Sequence, residues 1–237
     1  MRFILLILLL GLCPGIGFLI FSGCEKKQAE VQREVPQKKY EGIIAAVGDS
    51  LTEGYGVEEE EAYPALLEKK LHENGFDFQV INAGISGETS TGTRSRINWI
   101  LNMKPDIVIL ETGANDGLRG IDPALIQKNI DETVQILKEN RVVVILAGMR
   151  MVRNLGKEYT EKFAGVYHSV AEKHGIGLIP FFLKGVAGEP GLNQADGIHP
   201  TAPGYEIITE TVYEHAAEAI RQWRSKKERG NAAGNSP

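Results

Sequence analysis

From Gly42 onward the chain alternates short, almost wholly apolar runs with longer amphipathic ones. No other feature of the sequence restricts the fold as much. The apolar runs are Ile43–Val47, Phe78–Ile81, Ile107–Leu110, Val142–Ala147 and Ile176–Pro180. They lack strict apolar–polar alternation, which is the pattern of parallel strands covered on both faces. Helical spacing appears in Tyr63–Asn74, Thr91–Met103, Pro123–Asn140, Thr160–His174 and Pro203–Trp223. Asp122-Pro123 offers an N-cap followed by proline at the first helical position. Behind it Ile126, Ile130, Val134 and Leu137 share one face, as Tyr205, Ile208, Val212, Ala216, Ala219 and Trp223 do in the last segment. The acidic run Glu58–Glu61 precedes a helix, where the macrodipole favours negative charge, and reads as a solvated helix entrance. Five β-α alternations predict an α/β protein: a three-layer α/β/α sandwich around a five-stranded parallel sheet. In such sheets the ligand crevice lies outside the carboxyl ends of the strands.

The first residues pose a different problem. MRFILLILLLGLCPGIGFLIFSGC carries one positive charge, Arg2, and then an almost unbroken apolar run from Phe3 to Phe21. Residues 1–24 therefore read as a signal peptide or N-terminal membrane anchor and are set aside from fold reasoning. The stretch Phe21-Ser22-Gly23-Cys24 resembles a bacterial lipobox, with Phe21 in place of the usual leucine, so Cys24 is a candidate lipidation site. An uncleaved anchor and an ordinary cleaved signal stay open beside that reading. Residues 25–40 are polar and charged, a tether between membrane and domain. A folded domain over 41–224 and a polar tail over 225–237, expected to fray, complete the organisation. The expectation is an exported protein, held on the periplasmic or cell-surface side of a bacterial membrane. Both cysteines, Cys13 and Cys24, fall in the targeting segment, so the domain has neither a disulfide nor a cysteine nucleophile. A net charge of -5 argues against a nucleic-acid partner, which would want a basic stripe.

The motifs that carry chemistry all follow strands or lie in the last long loop. No GxSxG elbow, HExxH, GxGxxG after a strand or GxxxxGK[ST] is present, and the histidines show no zinc-ligand spacing. Neither a metal nor a cofactor is suggested. What remains is Ser50, in GDSLTEGYG after the first strand, and the pair Asp196 and His199 in NQADGIHPTAPG. A serine hydroxyl needs a base to take its proton, and an imidazole base needs a carboxylate to fix its tautomer. Acyl transfer also needs donors aimed at the developing oxyanion. NAGISGETS offers a backbone N–H at Gly87, and ETGANDGLRG offers the side-chain amide of Asn115. Taken singly, each of these two stretches reads better as a plain Gly/Asn-rich strand-to-helix turn.

In chain order, GDSLTEG, GISGETS, GAND and DGIHP resemble the four blocks of the SGNH (GDSL) hydrolase superfamily, over Ile43 to Trp223. Within it, the wording is similar to the bacterial thioesterase I, lysophospholipase and arylesterase group. The resemblance implies a flavodoxin-like fold and a serine esterase acting on carboxylic esters or thioesters without a cofactor. Its substrates would be small acyl or aryl esters or lysophospholipids. It also implies Ser50 as nucleophile, His199 as base and Asp196 as orienting acid, with the Ser50 and Gly87 N–H groups and the Asn115 amide as oxyanion hole. Ala114 stands where some members have a second glycine, while Asp49 and Asp116 are read as loop braces. The remaining histidines, His72, His168, His174 and His215, are read as surface residues. The segment Phe181–Leu192 either borders the acyl pocket or merely packs. Two alternatives stand beside the esterase reading: a polysaccharide acetylesterase, and a surface binding protein on an inactive scaffold.

Overall fold

The computed structural model describes residues 39–152 and 155–234, with side chains described as far as residue 230. The expected signal or anchor, Cys24, and the tether up to residue 38 lie outside the described residues. Residues 39–237 form one compact unit.

Five strands carry the domain: β1 (Gly42–Gly48), β2 (Phe78–Gly84), β3 (Ile107–Glu111), β4 (Val143–Ala147) and β5 (Gly177–Ile179). All pairings are parallel and the order is β2-β1-β3-β4-β5. The register pairs Val47 with Ala83 on one side and Leu110 on the other, bringing the carboxyl ends of β1, β2 and β3 level. Because β1 lies between β2 and β3, the chain reverses direction across the sheet beside β1, and a crevice opens there.

The apolar runs are strands because they are covered twice. Ile44 to Val47 and Ile107 to Leu110 are fully buried. Helices α2 (Tyr63–Glu73) and α8 (Ala202–Gly234) pack together, while α6 (Pro123–Glu139) packs on α7 (Lys157–His174) and on α3 (Ser90–Ser95). The expected face of α6 is buried throughout, and so is that of α8 from Tyr205 to Ala219. Asp122 caps α6 by accepting from Ala124 N at 2.9 Å. The acidic run becomes a 3-10 turn over Glu59–Glu61, immediately before α2.

Three details differ from the sequence reading. The segment Thr91–Met103 is two helices, α3 and α4 (Ile97–Asn102), broken at Arg96 with φ -102° and ψ 9°. The reason is tertiary. The Arg96 guanidinium turns inward to grip Glu88 at 2.6 and 2.7 Å and donates to Ala83 O at 2.8 Å. The GDSLTEG and GAND blocks, read as loops, contain short helices α1 (Ser50–Glu53) and α5 (Ala114–Leu118). The expected frayed tail instead prolongs α8 to Gly234. Its lysines, glutamate and arginine are good helix formers, and Lys227 sits 4.2 Å above the Trp223 ring.

Arg96 and Glu88 keep only 12% and 8% of their side-chain surface exposed. Removing the cation would strand a buried carboxylate beside the carboxyl ends of β1 and β2. Arg96→Ala is expected to cost about 3 kcal/mol. For a domain of this size that lowers Tm by about 10 °C, a shift checked by calorimetry.

Candidate active site

β1 runs straight into the first site residue. Gly48 ends the strand, Asp49 caps α1 by accepting from Leu51 N at 3.0 Å, and Ser50 is the first residue of that helix. The turn is tight enough to require glycine. A Cβ on Gly48 would come within 2.8 Å of the Glu111 carbonyl and closer still to the Thr52 hydroxyl. The helix then stops at Gly54, which adopts φ +92°.

Beneath this turn lies a carboxyl that the motifs did not single out. Glu111, the last residue of β3, is fully buried and accepts from Asp49 N at 3.1 Å and from Thr52 Oγ1 at 3.0 Å, both at Oε2. Burial raises its pKa well above the usual carboxylate range, and the nearby Asp49 charge raises it further. Burial also raises Asp49, against the opposing pull of the Leu51 N–H and the Asn115 amide. Two carboxyls so close and so desolvated do not both ionise, and Glu111 is the one that keeps its proton. An acid directly after the apolar run IVIL was the available signal, because a charge at that position is buried with the strand.

Asn115 enters from α5, whose N-cap Gly113 has φ +103°. Its Nδ2 donates to Asp49 Oδ2 at 3.0 Å, which leaves the second amide hydrogen for another acceptor. Asp116 braces the neighbouring loop by accepting from Ser90 N at 2.7 Å and Ser90 Oγ at 2.6 Å. In that loop Gly87 has φ +78°, and its carbonyl accepts from Arg119 at 3.0 Å. Ile85 N donates to Gly48 O at 2.9 Å, and Ser86 N to Glu53 Oε2 at 3.0 Å, so the loop is pinned to the Ser50 turn.

The last long loop closes the site. Asp196 Oδ1 accepts from Ile198 N at 2.9 Å and from His199 N at 3.0 Å. Its Oδ2 lies 2.6 Å from His199 Nδ1, and His199 Nε2 lies 2.9 Å from Ser50 Oγ. The His199 ring and the two backbone N–H groups lower the Asp196 pKa to about 2. An ionised carboxylate only accepts, so Nδ1 carries the hydrogen and Nε2 presents its lone pair to the hydroxyl. The Tyr55 ring, also unflagged by the motifs, covers the imidazole with centroids 4.6 Å apart.

Ser50, Asp196 and His199 are thus in direct contact, and Asn115 and Gly87 sit on loops bonded to the same turn. The other histidines stay outside. His174 corrects the surface reading: it is 8% exposed and pairs with Asp131 at 2.9 Å. A histidine in the last turn of α7 faces α6, where Asp131 lies. Among the described residues, no group of three or more His, Cys, Asp or Glu side chains could hold a metal ion. Beside Ser50 opens a cavity of about 220 Å³, lined by Leu51, Ala114, Met149, Met151, Phe181 and Leu183. Phe181, Leu183, Ala187 and Gly188 bring the Phe181–Leu192 segment to its wall.

A serine, an imidazole and a carboxylate in hydrogen-bonded series at the edge of a parallel sheet are the parts of a serine hydrolase. The model of the GDSL-like lipase/acylhydrolase family matches residues 46–207. The chain belongs to that family and is a GDSL-type esterase. It is 38% identical to esterase TesA of Pseudomonas aeruginosa over 196 residues, 82% of this chain and 95% of that one. Against thioesterase 1/protease 1/lysophospholipase L1 of Escherichia coli it is 34% identical over 168 residues, 70% of this chain and 79% of the other. The crystal structure of TesA superposes with a TM-score of 0.73 at 39% identity, covering 75% of this chain and 99% of that one.

A carboxyl with a higher pKa folded than unfolded binds its proton on folding. The stability it contributes is complete below about pH 4.3 and is lost as pH rises toward the folded value. Glu111→Gln keeps the acceptor oxygen and removes that titration. The variant is expected to lose less Tm than the wild type between about pH 5 and pH 8, as thermal melts across that range will show.

Proposed function

We propose that the protein hydrolyses carboxylic esters or thioesters with an apolar acyl group, with lysophospholipids among its substrates. The observation that carries this reading is the 2.9 Å contact of His199 Nε2 with Ser50 Oγ, whose chain neighbours Ile198 and Leu51 line an apolar cavity. His199 takes the hydroxyl proton as Ser50 Oγ attacks the carbonyl carbon, and Asp196 stabilises the imidazolium that forms. The oxyanion draws on the Ser50 and Gly87 N–H groups and the free hydrogen of Asn115 Nδ2. Collapse expels the alcohol or thiol, which receives the proton from His199. Water, deprotonated by the same imidazole, then attacks the acyl-Ser50 ester, and the acid leaves.

The apolar lining supports an acyl chain over a polysaccharide acetyl group, whose sugar partner would ask for polar walls. The lysophospholipase in the name of the Escherichia coli relative supports a lipid substrate in the same way. Residues 1–24 we read as an export signal, with lipidation at Cys24 fixing the domain to a membrane through the polar segment 25–40. Among the described residues no helix is long and apolar enough to cross a membrane.

A series of p-nitrophenyl esters tests the substrate class. Each buried methylene is worth about 0.8 kcal/mol, so kcat/KM is expected to rise about fourfold per carbon until the cavity is full. Ser50→Ala is expected to abolish turnover across the series while leaving the thermal melt intact. Flat chain-length dependence with preference for acetylated xylan would overturn the acyl reading, and retained activity would remove Ser50 from its role. Separately, Asn115→Ala is expected to lower kcat about 10²-fold with little change in KM. The opposite split would make Asn115 a ground-state binding residue.

A further inference from the structure

Among the described residues eight large apolar side chains stand exposed, and five of them lie on the connections at the carboxyl edge of the sheet. Tyr55, Ile85, Leu118, Val152 and Ile198 are 42–58% exposed. Each comes from a different connection at the carboxyl edge of the sheet: after β1, β2, β3, β4 and β5 in turn. Tyr55 lies on the His199 ring, and Leu118, Val152 and Ile198 edge the apolar cavity. Ile85 is tied to the Ser50 turn through Gly48 O. Scattered exposed apolar residues need no explanation, but five on the connections of one sheet edge, three of them at one cavity, make a surface built to be covered.

We propose that this rim docks the domain, mouth down, on the surface of a zwitterionic phospholipid layer. The rim continues the apolar wall of the cavity, so an acyl chain passing from a lipid layer to Ser50 stays out of water. Arg119 and Arg150, both exposed, stand beside Leu118 and near Val152, where headgroup phosphates would meet them. The acidic run Glu58–Glu61 on the Tyr55 flank, with a net charge of -5, disfavours a strongly anionic surface. Gly42, where β1 begins, lies at the amino edge of the sheet and opposite the rim, so the chain entering the fold leaves the rim open.

The proposal rests on the ester-hydrolase reading for its purpose, and its test does not. The solved TesA chain corresponds to this domain alone, so residues 39–237 can be studied without the apolar leader. The 39–237 protein carrying Ser50→Ala is mixed with vesicles of diether phosphatidylcholine, and co-sedimentation is followed against lipid concentration. Binding is expected to saturate, and Ile85→Asp is expected to weaken the partition about tenfold. Val152→Asp, on another loop, should act in the same direction. Trp99→Asp, an exposed apolar position away from the rim, should leave binding unchanged. Absence of co-sedimentation, or equal losses in Ile85→Asp and Trp99→Asp, would overturn the proposal while leaving the esterase reading intact.

Discussion

Oε2 of Glu111 receives two hydrogen bonds, one from the Asp49 backbone and one from the Thr52 hydroxyl, and the arrangement of the site follows from that contact. Parallel pairing of β1 with β3 puts the last side chain of β3 under the exit of β1. There it holds the chain in the turn that presents Ser50. The same closeness forbids a Cβ on Gly48, because Glu111 and Thr52 already fill the space. It also leaves the Asp49 carboxylate free to face the other way, toward the Leu51 N–H and the Asn115 amide. One buried acid thereby sets the Ser50 turn directly and the Asn115 amide at one remove. The cost is a carboxyl that must stay protonated in a dry interior, a cost of the kind found where side chains are held for chemistry.

Much of this was legible beforehand. Doubly covered parallel strands write themselves as continuous apolar runs, so the five strands stood out. The four motif blocks fell at their carboxyl ends because loops there are what an α/β sheet offers a ligand. What stayed hidden depended on partners distant in sequence. A helix of four or five residues shows no period, so α1 and α5 read as loops. The break at Arg96 is set by Glu88 and the carbonyl of Ala83, neither visible from helical spacing. His174 looked like any helix histidine until α6 brought Asp131 against it. Glu111 could have been suspected, since a charge closing the run IVIL has nowhere to go but inward.

The two sides of the crevice do different work. On the polar side, Glu53 and Asp116 bind the second loop to the first and third, and Arg96 closes that loop on itself through Glu88 and Ala83 O, leaving little freedom to the backbone around Gly87. On the other side, Met149, Met151, Phe181 and Leu183 make an apolar wall without directional bonds. Thioether side chains adapt their shape to what they hold. Rigid hydrogen-bonding groups thus stand on one side of the crevice and a compliant apolar wall on the other.

His199 is held by the same logic with fewer parts. Asp196 spends one oxygen on the backbone N–H groups of Ile198 and His199, a short turn that immobilises its own carboxylate. Only the second oxygen is left for the imidazole, and the three-residue spacing places it against Nδ1. That fixes the ring within its loop but not the loop against Ser50. The missing link is Gln194, whose amide donates to Tyr55 O at 2.7 Å and to Pro200 O at 3.0 Å, while its N–H donates to His199 O at 2.8 Å. Gly56 lets that amide approach, since a Cβ there would meet it at 2.4 Å. A glutamine and a glycine outside the Ser50–His199–Asp196 series therefore tie the His199 loop to the chain leaving α1.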